Sequence, residues 1–241
     1  MQTVITMAGL GTRFKKAGYD MPKYEIEVKG RSLFEWSMDS LTGYFSPDDD
    51  YYFIVRAEDN ASEFIKTKWE KITGSRDRAN VIELDRMTDG QATTATLAAP
   101  FWKKDEPLLI YNIDTYVESG QLKAEDIEGD GFIPCFDAPG DHWSFVKVDE
   151  SGDAVEVREK QRISDNCTLG AYYFASCGLY ERMYEEYYGN GQNLEKGEKY
   201  VAPLYNYMIS KGMRVRISLT DSKYVHVLGT PEELEVFKAQ N

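Results

Sequence analysis

The chain has 241 residues, 42% of them hydrophobic, with a formal net charge of −13. That is enough apolar side chain for one sizeable core, and the overall negative field disfavours nucleic acid and anionic membrane as partners. No apolar run approaches the ~18 residues a bilayer span needs, and Cys135, Cys167 and Cys177 form neither a metal-ligand pair nor a secreted disulfide framework.

In chain order, residues 4–7 read as a strand, and Leu33, Phe34, Trp36, Ser37 and Leu41 follow helical spacing. "YYFIV" (51–55) is a second strand, and Ala61, Phe64, Ile65, Trp69 and Ile72 recur with a 3.6-residue period. "NVIEL" (80–84) is a third strand, "ATTATLAAPFW" (92–102) a helix, and "PLLIYN" (107–112) an apolar strand of the kind covered on both faces. This alternation builds a mainly parallel sheet flanked by helices, with ligands at the carboxyl ends of the strands. The second half is richer in strands: "GFIPCF", "WSFVKV", "AVEVREK" and "LGAYYFA", divided by turns such as "DESGD". Helices follow at 177–188 and 200–211. Between them "GNGQNLEKGEK" (189–199) reads as a surface connector rather than a lid. "VRISL" and "KYVHVL" are late strands, and Thr230, Pro231 and Glu233 predict a capping box opening the last helix. No repeat or linker divides the chain, so residues 1–241 are expected to form one domain. Met1 leading directly into a strand, with no signal pattern, points to the cytoplasm and to reduced, buried thiols.

Residues 7–24, "MAGLGTRFKKAGYDMPKY", reverse the charge of the rest: four cations (Arg13, Lys15, Lys16, Lys23) stand against one anion, Asp20, between Met1 and Tyr24. Gly9 and Gly11 let backbone N–H groups approach an anion, and Arg13 can hold phosphate oxygens bidentately. The loop is neither a P-loop, which needs G-K-[ST], nor a dinucleotide fingerprint, since position 14 is Phe. Pro22-Lys23, ten residues past Arg13, places a second cation over the same loop, so a polyphosphate is the expected ligand. Lys15 and Lys16 read as solvated.

The run Gly9-Leu10-Gly11-Thr12-Arg13 followed by Pro22-Lys23 resembles the opening motif of the sugar-phosphate nucleotidylyltransferases, or nucleotide-sugar pyrophosphorylases. The resemblance continues in order through "TDGQATTATLAA" (88–99), "YNIDT" (111–115), "VREK" (157–160), "LGAYYF" (169–174) and "LGTPEEL" (228–234), and so spans residues 1–234. It is closest in character to enzymes of bacterial capsule and surface-polysaccharide loci. It implies a Rossmann-like α/β fold with residues 1–118 mainly binding the NTP and a β-rich 119–241 mainly binding the acceptor.

The implied reaction is attack by an acceptor phosphate on the α-phosphate of an NTP, with pyrophosphate leaving. The nucleophile is already an anion, so alignment and charge neutralisation suffice, in keeping with a chain that has only two histidines, His142 and His226. By resemblance Asp114 holds Mg2+, Arg13 stabilises the leaving pyrophosphate and Lys23 reaches the α-phosphate. Ala8, Gly9, Gly11, Thr12, Gly90 and Gln91 bind the nucleotide, with Gln91 and Gly90 facing the base. Lys160 and Glu159 meet the acceptor beside Gly170. Trp143, Tyr172 and Tyr173 line either the acceptor pocket or the core.

Two departures stand out. Gln161 occupies a position where many relatives have Pro, and Val227 stands where they carry a second metal-binding Asp, leaving Asp221 or His226 as substitutes. The second departure opens the acceptor to non-sugar phosphates, such as those of a polyol, an amino-alcohol or an amino acid, with a cytidylyltransferase as one form. A glycosyltransferase and a non-catalytic nucleotide-sensing module are the remaining alternatives. Relatives of this kind often self-associate; Trp36, Trp69, Trp102 and the tyrosines are the residues available for an interface.

Overall fold

Strand β1 (Gln2–Thr6) is buried along its length save at Thr6, as its run of apolar and threonine side chains demands of a strand covered on both faces. The computed structural model describes residues 1–46 and 48–240. After β1 come the short helix α1 (Thr12–Lys16), the small hairpin of β2 (Glu27–Val28) and β3 (Arg31–Ser32), and α2 (Leu33–Asp39). The alternation continues with β4 (Asp50–Arg56), α3 (Ser62–Thr73), β5 (Ala79–Leu84), α4 (Gln91–Thr96) and β6 (Leu108–Asn112). Strands β6, β1, β4 and β5 are neighbours in that order and parallel, with Val4 opposite both Tyr52 and Ile110.

The second half extends this sheet. Strand β7 (Thr115–Val117) leaves it, and β8 (Gly131–Phe136), β9 (Ser144–Val148), β10 (Ala154–Glu159), β11 (Cys167–Thr168) and β12 (Ala171–Phe174) add to it. Helices α5 (Cys177–Tyr188) and α6 (Ala202–Ser210) follow, then β13 (Val215–Thr220), β14 (Val225–Val227) and α7 (Pro231–Ala239). The order across the ten-stranded sheet is β10-β9-β11-β8-β12-β6-β1-β4-β5, with β13 parallel to β8. Strand β12 joins antiparallel to β6 and so fuses the parallel half to the mixed half. The architecture is the Rossmann-like mixed sheet with flanking helices that the strand–helix alternation predicts.

Alternation along β1 divides the core. Val4 joins an apolar cluster with Ile110, Ala95, Tyr180 and Leu204 on one face, and Ile5 joins Phe34, Phe53, Ile65 and Tyr111 on the other. A third cluster, with Phe14, Ile26, Leu33, Leu228, Leu234 and Phe237, binds α7 to the loop after β1. Trp69 and Trp102 are core residues, 3% and 6% exposed, so neither is available for an interface. The helix expected over 92–102 ends at Thr96. Thr94 and Thr96 turn their hydroxyls back onto backbone carbonyls, and Pro100 has no N–H to continue the ladder.

Candidate active site

The carboxyl ends of β1 and β6 open into a cavity of about 630 Å3, within the range of small-molecule sites. The turn leaving β1 forms its floor. Gly11 has φ +59°, a left-handed conformation that lets the chain swing from the strand into α1. Ala8, Gly9, Gly11, Thr12 and Arg13 all line the cavity. Phe14 is buried and anchors α1, while Arg13 is exposed and its side chain forms no ion pair or hydrogen bond with a described residue. Lys15 and Lys16 are exposed and outside the cavity.

Lys23 enters from above. Pro22 leads into a single 3-10 turn whose next residue, Tyr24, is buried and donates from its hydroxyl to Asp59 Oδ2 at 3.0 Å. That anchor aims the Lys23 ammonium at Asp114, with which it forms an ion pair through Oδ1. Asp114 lies two residues past the end of β6, and the segment is fixed by Ser37 of α2, whose hydroxyl donates to Ile113 O at 3.2 Å.

Gly90 and Gln91 stand on the opposite wall. Gln91 Nε2 donates to Thr6 Oγ1 at 3.2 Å and to Asn112 Oδ1, so its amide is oriented by the ends of β1 and β6. Gly90 has φ +139°, and a Cβ there would lie 2.4 Å from the carbonyl oxygen of Lys199. The segment before α6 is zipped onto this loop: Lys199 N–H donates to Asp89 O at 2.7 Å, and Ala92 N–H to Lys199 O at 3.0 Å. The connector 189–199 is thus more than surface chain at its end, because Glu198 and Tyr200 form cavity wall.

The remaining side is built by the second half. Glu159 at the end of β10 accepts from Ser144 Oγ and lines the cavity with Trp143, Tyr172 and Gly170. Gly170, at φ +75°, has room only for hydrogen, since a Cβ would lie 2.9 Å from the Asn112 amide. Tyr172 therefore both lines the cavity and belongs to the core, whereas Tyr173 does not reach the cavity. Lys160 does not itself line the cavity: its backbone takes φ +53°, and its ammonium donates to the hydroxyl of the wall residue Tyr200 at 2.7 Å. Burial opposes charge on Lys160, but the Tyr200 hydroxyl and the Glu159 carboxylate outweigh it and hold the ammonium above its ordinary pKa.

Neither substitute for the missing Asp is placed to serve. His226 hydrogen-bonds through Nδ1 to Gln240 at 2.8 Å and through Nε2 to Glu118 at 3.2 Å. Asp221 accepts from Lys223 N–H at 3.0 Å and pairs with the Lys223 ammonium. Val227 does line the cavity, as do Gly229 and Glu233. The capping box expected at α7 is only half made. Thr230 Oγ1 accepts from Glu233 N–H at 3.2 Å, but Glu233 returns no bond, and its Oε2 is enclosed without a partner among the described residues.

Chemically, the cavity sets two cations, Arg13 and Lys23, against four carboxylates, Asp114, Glu159, Glu198 and Glu233. For a polyphosphate in such a site, a divalent cation would offset the acids beside it. The orphaned Glu233 oxygen and Asp114 are hard oxygen donors that fit Mg2+. Among the described residues no three His, Cys, Asp or Glu gather at a metal site.

Neither the family models nor the curated proteins yield a match to the sequence. Solved structures do. A nucleoside-diphosphate-sugar pyrophosphorylase from Vibrio cholerae RC9 is 33% identical, with full coverage of both chains and a TM-score of 0.89. The chain belongs to the nucleotidyltransferase family. An inositol-1-phosphate CTP transferase from T. maritima shares the fold at TM-score 0.76 and 16% identity, over 98% of this chain and 93% of its own. A candidate glucose-1-phosphate thymidylyltransferase from Bacillus anthracis, in complex with a sucrose, shares it at 0.77 and 15%, over 100% and 96%. This nucleotidyltransferase is therefore an enzyme, which sets aside the glycosyltransferase and the silent sensor. Among its described residues no helix is long and apolar enough to cross a membrane.

Sequence reasoning placed eleven of its twelve candidate residues on the cavity wall, Lys160 being the exception. It missed Thr6 and Asn112, which orient Gln91, and Glu198, Tyr200 and Glu233. Only the closing "GTPEEL" held a signal for Glu233, and a helix-cap reading absorbed it.

Proposed function

We propose that this nucleotidyltransferase joins an NTP to a small phosphorylated acceptor, with Mg2+, and releases pyrophosphate. The observation that carries the reading is that one cavity receives the glycine loop with Arg13, the Lys23–Asp114 pair and, across from them, Glu159 and Gly170. Residues 1–118 supply the nucleotide side and 119–241 the acceptor side. The triphosphate lies along the N–H groups of residues 9–12 with Arg13 on the leaving pyrophosphate, where charge builds as the bond breaks. Lys23 is within reach of the α-phosphate, and its release from Asp114 accompanies ligand entry. Asp114 holds the cation, which when bound neutralises phosphate charge and templates the in-line displacement. Gly90 and Gln91 read the base.

The acceptor phosphate needs no general base. Glu159 and Glu198 accept hydrogen bonds from acceptor hydroxyls, and Trp143, Tyr172 and Tyr200 give it apolar faces. A sugar 1-phosphate is the first reading, supported by the activity named for the Vibrio relative. A second is a polyol or amino-alcohol phosphate accepted by a cytidylyltransferase. Val227 in place of the usual Asp and carboxylates beside aromatic rings favour it. The products would serve cytoplasmic surface-polysaccharide synthesis.

The test is pyrophosphate release with each NTP against hexose 1-phosphates, inositol 1-phosphate, phosphoethanolamine and phosphocholine, with product masses recorded. Release that requires one NTP, one acceptor class and Mg2+, and that Asp114→Asn abolishes, is expected. Phosphate-independent NTP hydrolysis, or sugar transfer from a nucleotide sugar, would contradict it.

A further inference from the structure

The cavity wall contributed by α7 carries a carboxylate that the fold leaves unpartnered. At α2 the capping box is complete: Ser32 Oγ accepts from Glu35 N–H at 3.3 Å, and Glu35 Oε2 takes the Ser32 N–H at 2.9 Å. At α7 Glu233 holds the same position, three residues after its N-cap Thr230, yet its side chain makes no return bond. Its Oε2 is instead enclosed and accepts no hydrogen bond from a described residue.

The direction of that side chain is informative. Glu233 Oε2 and Asp114 Oδ2 lie 3.4 and 3.8 Å from the point where a side chain on residue 229 would begin. Residue 229 is glycine, so both oxygens adjoin the space that a side chain there would fill. Asp114 divides its carboxylate, giving Oδ1 to Lys23 and leaving Oδ2 on the side of Gly229. Leu228 N–H donates to Asp114 O at 2.7 Å and fixes the distance between the two segments. The third apolar cluster holds α7 in place through Leu234 and Phe237. An enclosed anionic oxygen without a donor is unfavourable, and a second carboxylate nearby makes it more so. A cation between them removes both penalties.

We infer that Glu233 is the second protein ligand of the divalent cation held by Asp114, supplying from the first turn of α7 the carboxylate that Val227 does not. This inference rests on the nucleotidyl-transfer reading above. Glutamate reaches one methylene further than aspartate, which suits a ligand carried on the helix behind the usual position. Two monodentate carboxylates leave the other sites of an octahedral ion to water and phosphate oxygens.

The probe is Mn2+ alone, titrated into the metal-free full-length protein and followed by loss of the free-ion EPR signal. Glu233→Gln is expected to weaken binding by at least about tenfold and to melt without metal at or above the wild-type temperature, since it relieves the repulsion with Asp114. Glu232→Gln, its exposed neighbour, should bind as wild type. Mn2+ affinity unchanged in Glu233→Gln but lost in Asp114→Asn would overturn the assignment and leave the transfer reading standing. Unchanged affinity in both variants would overturn the metal site itself. If Glu233→Gln melts several degrees below wild type while Glu233→Asp binds Mn2+ no better than it does, the carboxylate is a helix cap and the assignment falls.

Discussion

Arg13 presents five N–H donors beside the cavity and spends none of them on a described protein group. A side chain so placed contributes to ligand binding and little to folding. Arg13→Ala should therefore leave the melting temperature close to wild type while lowering kcat/KM by about 10²–10³, the loss typical of one oriented donor on a developing oxyanion. Lys23 differs, because it already holds Asp114. Lys23→Met should lower transfer as well, yet raise Mn2+ affinity several-fold, roughly, since it frees a carboxylate oxygen for the metal. Parallel kinetics and EPR titration would show the two effects moving in opposite directions; a fall in both would contradict the proposed placement. Arg13 and Lys23 were legible in the sequence because glycine loops, arginine and Pro-Lys spell out a backbone requirement. Glu233 was not, because S/T-x-x-E describes a reciprocal cap and a half-made one equally well. Lys160 has a left-handed backbone, unusual for a non-glycine residue, and meets the cavity through Tyr200 and Glu159 rather than on its wall.

At the scale of elements, two local devices set the geometry. Gly90 is pressed against the Lys199 backbone in a conformation reserved for glycine. Gly90→Ala should cost about 2–4 kcal/mol, lower the melting temperature and raise KM for the NTP by loosening the wall that carries Gln91. The N-terminus of α2 is the second. Glu35 is 2% exposed. Burial opposes its charge, but hydrogen bonds from Lys68, Lys71 and Ser32 prevail and hold its carboxyl at about 2. A carboxyl with a lowered folded-state pKa stabilises above its ordinary range, and that contribution is lost as pH falls. About 2–3 kcal/mol should disappear between about pH 5 and pH 2. Denaturant melts of Glu35→Gln across that interval should show a shallower pH slope than wild type. The helix at 177–188 and the strand at 131–136 were legible to the residue, and the strand read over 154–160 was one residue too long, because their periodicity is strong and their boundaries carry turns. The 92–102 helix was overextended, since an alanine-rich pattern gave no weight to the threonine back-bonds or to Pro100.

Across the whole molecule, one sheet carries both of the substrate sides proposed above, and the third apolar cluster packs α7 against the segment that follows the glycine loop. The cysteines report on this core. Burial raises all three thiols, Cys177 to about 12, so little thiolate forms at pH 8. They should resist an aromatic disulfide reagent in the native protein and react together once denaturant opens the core. Strand–helix alternation made the parallel half of the sheet legible. The antiparallel fusion through β12 depends on pairing between distant segments, on which local sequence is silent.

The central claim is that residues 7–24 hold the polyphosphate of an NTP, and thermal shift with Mg2+ and each of ATP, GTP, CTP, UTP and dTTP tests it most directly. Wild type and Arg13→Ala are to be run side by side. Stabilisation by one nucleotide in the wild type and its loss in the variant are expected. No shift with any of the five, or a shift that the variant retains in full, would contradict it.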